Sequence, residues 1–148
     1  MENTTRNIAE FCFATTYETI PQDVIDRTKL LILDTIGIIT RARHDSESTS
    51  SMLSALEKMR LTQGECNVFG DTATYPPAVA ALINGSLAHS LDFDDTHAEA
   101  SIHASAPIIP AAIAAAQIVG ASGKDLITAC VIGYEVHVRL GKAVGAEA

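Results

Sequence analysis

Asn84-Gly-Ser-Leu-Ala-His-Ser-Leu-Asp-Phe-Asp-Asp-Thr-His-Ala-Glu-Ala-Ser-Ile-His-Ala-Ser105 is the stretch around which the rest of the chain is organised. It gathers His89, His97 and His103 with Asp92, Asp94, Asp95 and Glu99, and apolar segments flank it on both sides. The segment before it, 78–91, places Val79, Leu82, Ile83 and Leu87 at helical spacing. Asn84-Gly85 would signal a hairpin turn between alternating flanks, but these flanks do not alternate, so the segment reads as a helix. Gly85 then costs about 1 kcal/mol inside it. With Ala80, Ala81 and Ala88 it marks a face where another helix packs closely. A cluster of proton-transfer groups between two core helices is where chemistry is expected.

If that helix continues to Thr96, then His89, Asp92 and Thr96 fall at i, i+3 and i+7 on one face. Asp94 falls elsewhere, and His103 folds back toward that face from the following loop. The competing reading is a solvated acidic helix end with histidines on a loop. On spacing alone the two are close, with the second slightly ahead.

Working outward, the residues after the motif open a second alanine-rich helix, capped by Ser105 or Ala106 and running through Val119. Gly120-Ala-Ser-Gly123 separates it from a last helix over 126–144, where Ser122 and Asp125 form a capping box. Gly133, Gly141 and Gly145 mark close packing on that helix. Upstream, Tyr75-Pro76-Pro77 cannot lie mid-helix and starts the 78–91 helix. Residues 66–70 read as a short strand or extended loop, and Gly70-Asp71 as a turn. Met52, Leu53, Leu56 and Met59 give a surface helix ending near Gln63-Gly64, the methionines filling core, with several N-caps on offer over 45–51. A short amphipathic helix spans 5–14 with Ile8, Phe11 and Cys12 on one face. Thr19–Gln22 resembles a capping box for the next helix, which runs to about Thr40. Residues 30–33 and 36–39 are apolar nearly all round, so that helix is expected to be central and buried. A buried strand over 30–39 is the rival, disfavoured by the helical phase upstream.

The 148 residues suffice for one domain with a core. Apolar residues reach 47% while aromatics are only 5%, with no Trp, which favours close-packed helices over a β-sandwich. The expected fold class is therefore all-α, a multi-helix bundle. A net charge of −8 without a basic cluster argues against nucleic-acid binding. An anionic substrate would need local positive groups, which are few near the motif. Cys12, Cys66 and Cys130 lie far apart with no CxxC pair and read as buried free thiols. The N-terminus lacks a secretory pattern, and 107–119 is too short to span a bilayer. A cytoplasmic protein without membrane association is expected.

The same residues carry a resemblance. Asn-Gly-x-x-x-His-Ser-Leu-Asp-Phe-Asp-Asp-Thr-His over 84–97, then His103-x-Ser105, then the alanine-rich helix, resembles the MmgE/PrpD family. That family includes 2-methylcitrate dehydratase, cis-aconitate decarboxylase and an iminodisuccinate epimerase. The opening of the long helix, from Ile20-Pro-Gln-Asp to Gly37, and the stretch from Gly120-Ala-Ser-Gly to Gly141 are similar as well, so the likeness covers essentially the whole chain. Ala104 departs from it, since members usually carry Pro after the histidine.

The resemblance implies the helical N-terminal domain of a lyase or isomerase of small di- or tricarboxylates. Members are much longer and add a mixed α/β domain, so 1–148 is expected to be a single, partial helical domain. A lysine and further histidines that members draw from later in their sequence have no counterpart here. The expected partners are a small anionic carboxylate substrate, a second copy of the chain as in the family's homodimers, and a partner chain supplying the missing domain. Surfaces facing missing parts would expose apolar patches and promote association. The alternative is a non-catalytic helical fragment serving as an oligomerisation or interaction module.

All the family's reactions move a proton at a carbon next to a carboxylate. His103 is the expected donor or acceptor, because imidazole titrates near pH 6.5 and can hold either state. Asp92 matches the family's pocket aspartate, as a base or as the orienter of a histidine. Thr96 can donate a hydrogen bond to a substrate carboxylate, and His97 is placed with it on the substrate side. Asp94 and Asp95 are expected to cap or brace backbone, His89 to be a buried core histidine, and His137 to be structural or exposed. Asp92, His97, Glu99 and His103 are chemically able to ligate zinc or manganese. No HExxH-like spacing supports that, and the resembling enzymes work without a metal, so no metal or cofactor is expected.

Overall fold

The computed structural model describes residues 3–45 and 48–145. Six α-helices lie among them: α1 (Thr4–Ala14), α2 (Gln22–Asp45), α3 (Ser48–Lys58), α4 (Pro77–His89), α5 (Ser105–Val119) and α6 (Gly123–Gly145). Single 3-10 turns sit at Tyr17–Thr19 and Ala98–Ala100. The sole sheet among the described residues pairs β1 (Cys66–Asn67) antiparallel with β2 (Thr74–Tyr75). The architecture is all-α, as composition and periodicity imply.

α4 and α5 pack against each other more extensively than any other pair of helices. Ile83 and Leu87 of α4 are fully buried with Ile39 of α2 and Val68 after β1. Each such side chain contributes about 1.5–3 kcal/mol through burial. Ile109 and Ile113 of α5 and Cys130 of α6 form a second cluster. Burial of the Cys130 thiol pushes its pKa up to about 11.

Small residues set the helix separation. A Cβ on Gly85 would lie 3.0 Å from the Ala106 carbonyl oxygen. Pro110, inside α5, has no N–H to offer that carbonyl, its i−4 acceptor. α4 therefore approaches α5 where the ladder of α5 lacks a rung. Asn84 is buried beside Gly85: its side-chain amide donates to the Asn67 carbonyl (3.0 Å) and accepts from the Phe69 N–H (3.1 Å). These bonds tie α4 to the hairpin, and they make a helix residue of the Asn-Gly pair.

Several expectations shift. The Thr19 hydroxyl bonds back to Thr16 (3.1 and 2.8 Å), so the capping box belongs to the 3-10 turn before α2. α2 runs five residues beyond Thr40 and is not buried all round, since Leu30 and Leu33 are exposed. Its other face, with Ile25, Thr28, Thr35, Ile38 and Ile39, faces the core. Met59 is exposed instead of filling core, because α3 ends at Lys58 and Arg60 turns left-handed (φ 59°). The N-cap of α3 lies outside the described residues. The α6 capping box forms as expected: the Asp125 N–H donates to Ser122 Oγ (3.2 Å) and the Ser122 N–H to Asp125 (2.9 Å). Gly133 and Gly141 are close-packed, facing Ile108 and Ala100 respectively.

Candidate active site

α4 ends at His89, and this break shapes the site. Three aspartates follow, and carboxylates at a helix C-terminus oppose its dipole. Asp92 takes a left-handed conformation (φ 56°), which a short polar side chain tolerates, and its N–H donates to the His89 carbonyl (3.0 Å). The helix does not continue to Thr96, so the i, i+3, i+7 face of His89, Asp92 and Thr96 does not exist.

The turn delivers Asp94 instead. Its side chain is fully buried, and His89 Nδ1 lies 3.0 and 3.1 Å from its two carboxylate oxygens. His103 does fold back, as expected. Its Nδ1 sits 3.3 Å from Asp94 Oδ1, close enough for charge attraction, but it is buried and makes no hydrogen bond. The two imidazoles meet edge to face with centroids 4.7 Å apart. A buried carboxylate is costly unless paired, and here two groups able to carry a proton flank it. His89 is thus not a buried core histidine: its side chain is 55% exposed.

Asp95 braces the loop. Its Oδ1 accepts the Ser105 N–H (2.9 Å), supplying the cap that neither Ala104 nor Ser105 gives α5. Its Oδ2 accepts the Tyr134 hydroxyl (3.0 Å) from α6, and that hydroxyl also bonds Ser105 Oγ. Burial, and then the nearby Asp95 charge, push the Tyr134 pKa up against the opposing Ser105 bond. Beyond Asp95, His97 and Ile102 pair through their backbones (His97 N–H to Ile102 O, 2.9 Å) and close the small loop that precedes His103.

Of the four residues singled out from sequence, His103 and Asp92 come together. Ligand atoms of His89, Asp92, Asp94 and His103 all lie within 4.8 Å of one another. Thr96 is exposed. His97 turns Nδ1 to its own loop, accepting the Ala100 N–H (3.2 Å), and Glu99 pairs with Lys142 (2.5 Å). From sequence Asp94, the residue at the centre, is expected only to cap or brace backbone, with no part in the chemistry. Periodicity hides it; the cue is electrostatic, because carboxylates at a helix C-terminus oppose its dipole, and a broken helix frees Asp94 to turn back.

The two imidazoles stand in the wall of a groove of about 520 Å³ between α4 and α5. Ala81, Gly85 and Ser86 line one side, Ala106 and Pro107 the other. Among the described residues no lysine or arginine lines it, so the positive charge that would hold an anion is not local. No helix among the described residues is long and apolar enough to cross a membrane.

Comparison with known proteins gives a consistent picture. A family model described as the MmgE/PrpD N-terminal domain matches residues 6–148. A cis-aconitate decarboxylase-like protein of Aspergillus oryzae is 34% identical over 134 residues, covering 84% of this chain and 27% of that protein. The cis-aconitate decarboxylase of Aspergillus terreus is 32% identical over 133 residues, 84% of this chain and 26% of its own length. The human cis-aconitate decarboxylase is 34% identical over 122 residues, 79% and 25%. The chain thus spans about a quarter of the length of the curated relatives it matches.

Proposed function

Since the chain belongs to the MmgE/PrpD family through its N-terminal domain, we propose that it supplies part of the site of a lyase or isomerase acting on small di- or tricarboxylates. The reaction moves a proton at a carbon next to a carboxylate. The observation that supports this most is the fully buried Asp94 between His89 and His103 at an open groove.

His103 is the proton donor or acceptor. With Nδ1 of both rings turned toward Asp94, Nε2 is the nitrogen left to meet a substrate. Asp94 holds the rings and balances charge when either is protonated, as a carboxylate does for a catalytic imidazole. For a decarboxylation of the cis-aconitate type, the bond from carbon to the departing carboxylate breaks. Its electron pair stays on carbon, delocalised into the conjugated acid, and an imidazolium returns a proton there. Asp92 faces the same cluster from the exposed side, while Thr96 and His97 are the candidates for contacting substrate carboxylates. No step requires a metal or cofactor. The cationic groups that grip the substrate come from outside this groove, from a second domain or partner chain, and a homodimer and a cytoplasmic location belong to the same reading.

The test is turnover of cis-aconitate and 2-methylcitrate by the chain, alone and mixed with a chain carrying the mixed α/β domain. Activity that falls by about 10²-fold or more in His103→Ala supports the reading. Absence of turnover in both formats by a folded helical protein overturns it.

A second reading is favoured by Leu30, Leu33 and Phe93, which are 58, 68 and 69% exposed and line one shallow groove with Arg27 and Asp34. It makes the chain a non-catalytic interaction module. A monodisperse monomer in light scattering at high concentration counts against it.

A further inference from the structure

The cluster at the end of α4 also fits a ligand that proton transfer does not call for. Tetrahedral zinc binds nitrogen and oxygen donors at about 2.0–2.1 Å, which sets neighbouring donors about 3.3 Å apart. His89 Nδ1 and His103 Nδ1 stand 3.0 and 3.3 Å from Asp94 Oδ1, and His89, Asp92, Asp94 and His103 each offer one ligand atom within 4.8 Å of the others. Separation alone would describe a hydrogen-bonded triad equally well. The His103 contact is not a hydrogen bond, however: its Nδ1 is buried without a partner, an arrangement that costs free energy unless something else satisfies the atom. Two imidazoles with two carboxylates form a donor set suited to zinc-like transition ions, whereas magnesium and calcium favour all-oxygen sites. The fixed member, Asp94, is fully buried, and the open side is held by Asp92 and His89, both exposed.

We propose that His89, Asp94 and His103, closed by Asp92, bind one divalent transition ion of the zinc type, and that the bound ion blocks the site. The ion takes the Nδ1 lone pairs and displaces whatever protons they carry, so each ring keeps its single proton on Nε2 and can no longer cycle between imidazole and imidazolium. The block rests on the lyase reading above; the binding does not.

The test is a titration of the folded chain without substrate, with ZnCl2 by calorimetry and with CoCl2 in the visible, since zinc itself is d¹⁰ and colourless. One ion per chain and intense four-coordinate cobalt bands are expected. Binding weakens at least about tenfold in His89→Gln and in Asp92→Asn, both exposed positions where the fold should persist, as far-UV circular dichroism checks. His137→Gln, which alters a histidine of α6 outside the cluster, leaves it unchanged. No stoichiometric binding by the wild-type chain, or binding that His89→Gln leaves intact, overturns the site. Where turnover is present, saturating Zn²⁺ suppresses it and EDTA restores it; turnover indifferent to Zn²⁺ overturns the block. A chain that binds the ion and turns nothing over counts against the lyase reading alone.

Discussion

The ring of His103 meets the ring of His89 edge to face, centroids 4.7 Å apart, although one residue ends a helix and the other precedes the next. What joins them is the carboxylate of Asp94, the least exposed side chain of the group.

Asp94→Asn keeps the shape of that side chain and removes its charge. The amide can still bond one imidazole, so stability should change by no more than about 1–3 kcal/mol. On the proposed lyase reading, turnover should fall by about 10²-fold or more, because neither ring keeps its counter-charge. Kinetics set beside urea denaturation separate the two effects. A variant that melts like wild type and stays fully active would remove Asp94 from the mechanism.

Gly141→Ala tests how α6 holds the histidine loop. The new methyl group would lie 2.8 Å from the Ala100 carbonyl and 3.1 Å from the Ile102 side chain. Backbone must move, at a cost of about 1–3 kcal/mol, and the loop that moves leads into His103. The expected outcome is a lower denaturation midpoint and, on the proposed lyase reading, a lower kcat.

Asn84→Ala deletes both bonds from α4 to the hairpin, leaving the Phe69 N–H and the Asn67 carbonyl without their partner. A loss of about 2–4 kcal/mol is expected. Hydrogen exchange at the Phe69 amide should accelerate well before that of the α5 amides. Equal protection in mutant and wild type would show that the tie is dispensable.

Asp71 sets an acid limit on stability. Burial opposes its ionisation, but the Ala73 N–H, the Arg43 guanidinium and the Tyr75 hydroxyl together hold its pKa below the usual carboxylate value. A depressed folded pKa gives stability that is fully present above the unfolded value, about 3.9, and is lost as pH falls through the folded one. Asp71→Asn should therefore cost about 1.5–3 kcal/mol at pH 7, with the gap to wild type closing below about pH 4. A gap that persists unchanged at pH 2 would assign the loss to packing.

Much of the fold could be read from residue pattern. The Pro76-Pro77 start of α4, the Ser122–Asp125 box of α6 and the alanine-rich α5 follow from local chemistry, and the structure has them. The centre of the site could not be read by periodicity. Leu87, Leu91 and the acidic residues continue a plausible helical pattern past His89, whereas the chain turns left-handed at Asp92, a position where no glycine advertises the break. The local sequence offers Ser105 or Ala106 as the α5 cap, yet the cap comes from Asp95, ten residues before Ser105. The exposure of Leu30 and Leu33 was equally hidden, because an apolar residue in sequence says what it prefers to touch and not whether anything is there.

His89, Asp92, Asp94 and His103 fall within fifteen consecutive positions, from the end of α4 to just before α5, and these two helices pack on each other. Closing so short a loop costs little chain entropy, and contacts so near in sequence form fast. During refolding, the pairing of α4 with α5 should therefore bring the histidines together before the distant anchors, Tyr134 and Gly141, arrive to fix them. The chemistry is laid out as a cassette: one short loop and the helix before it carry all four groups, and α6 braces them from outside.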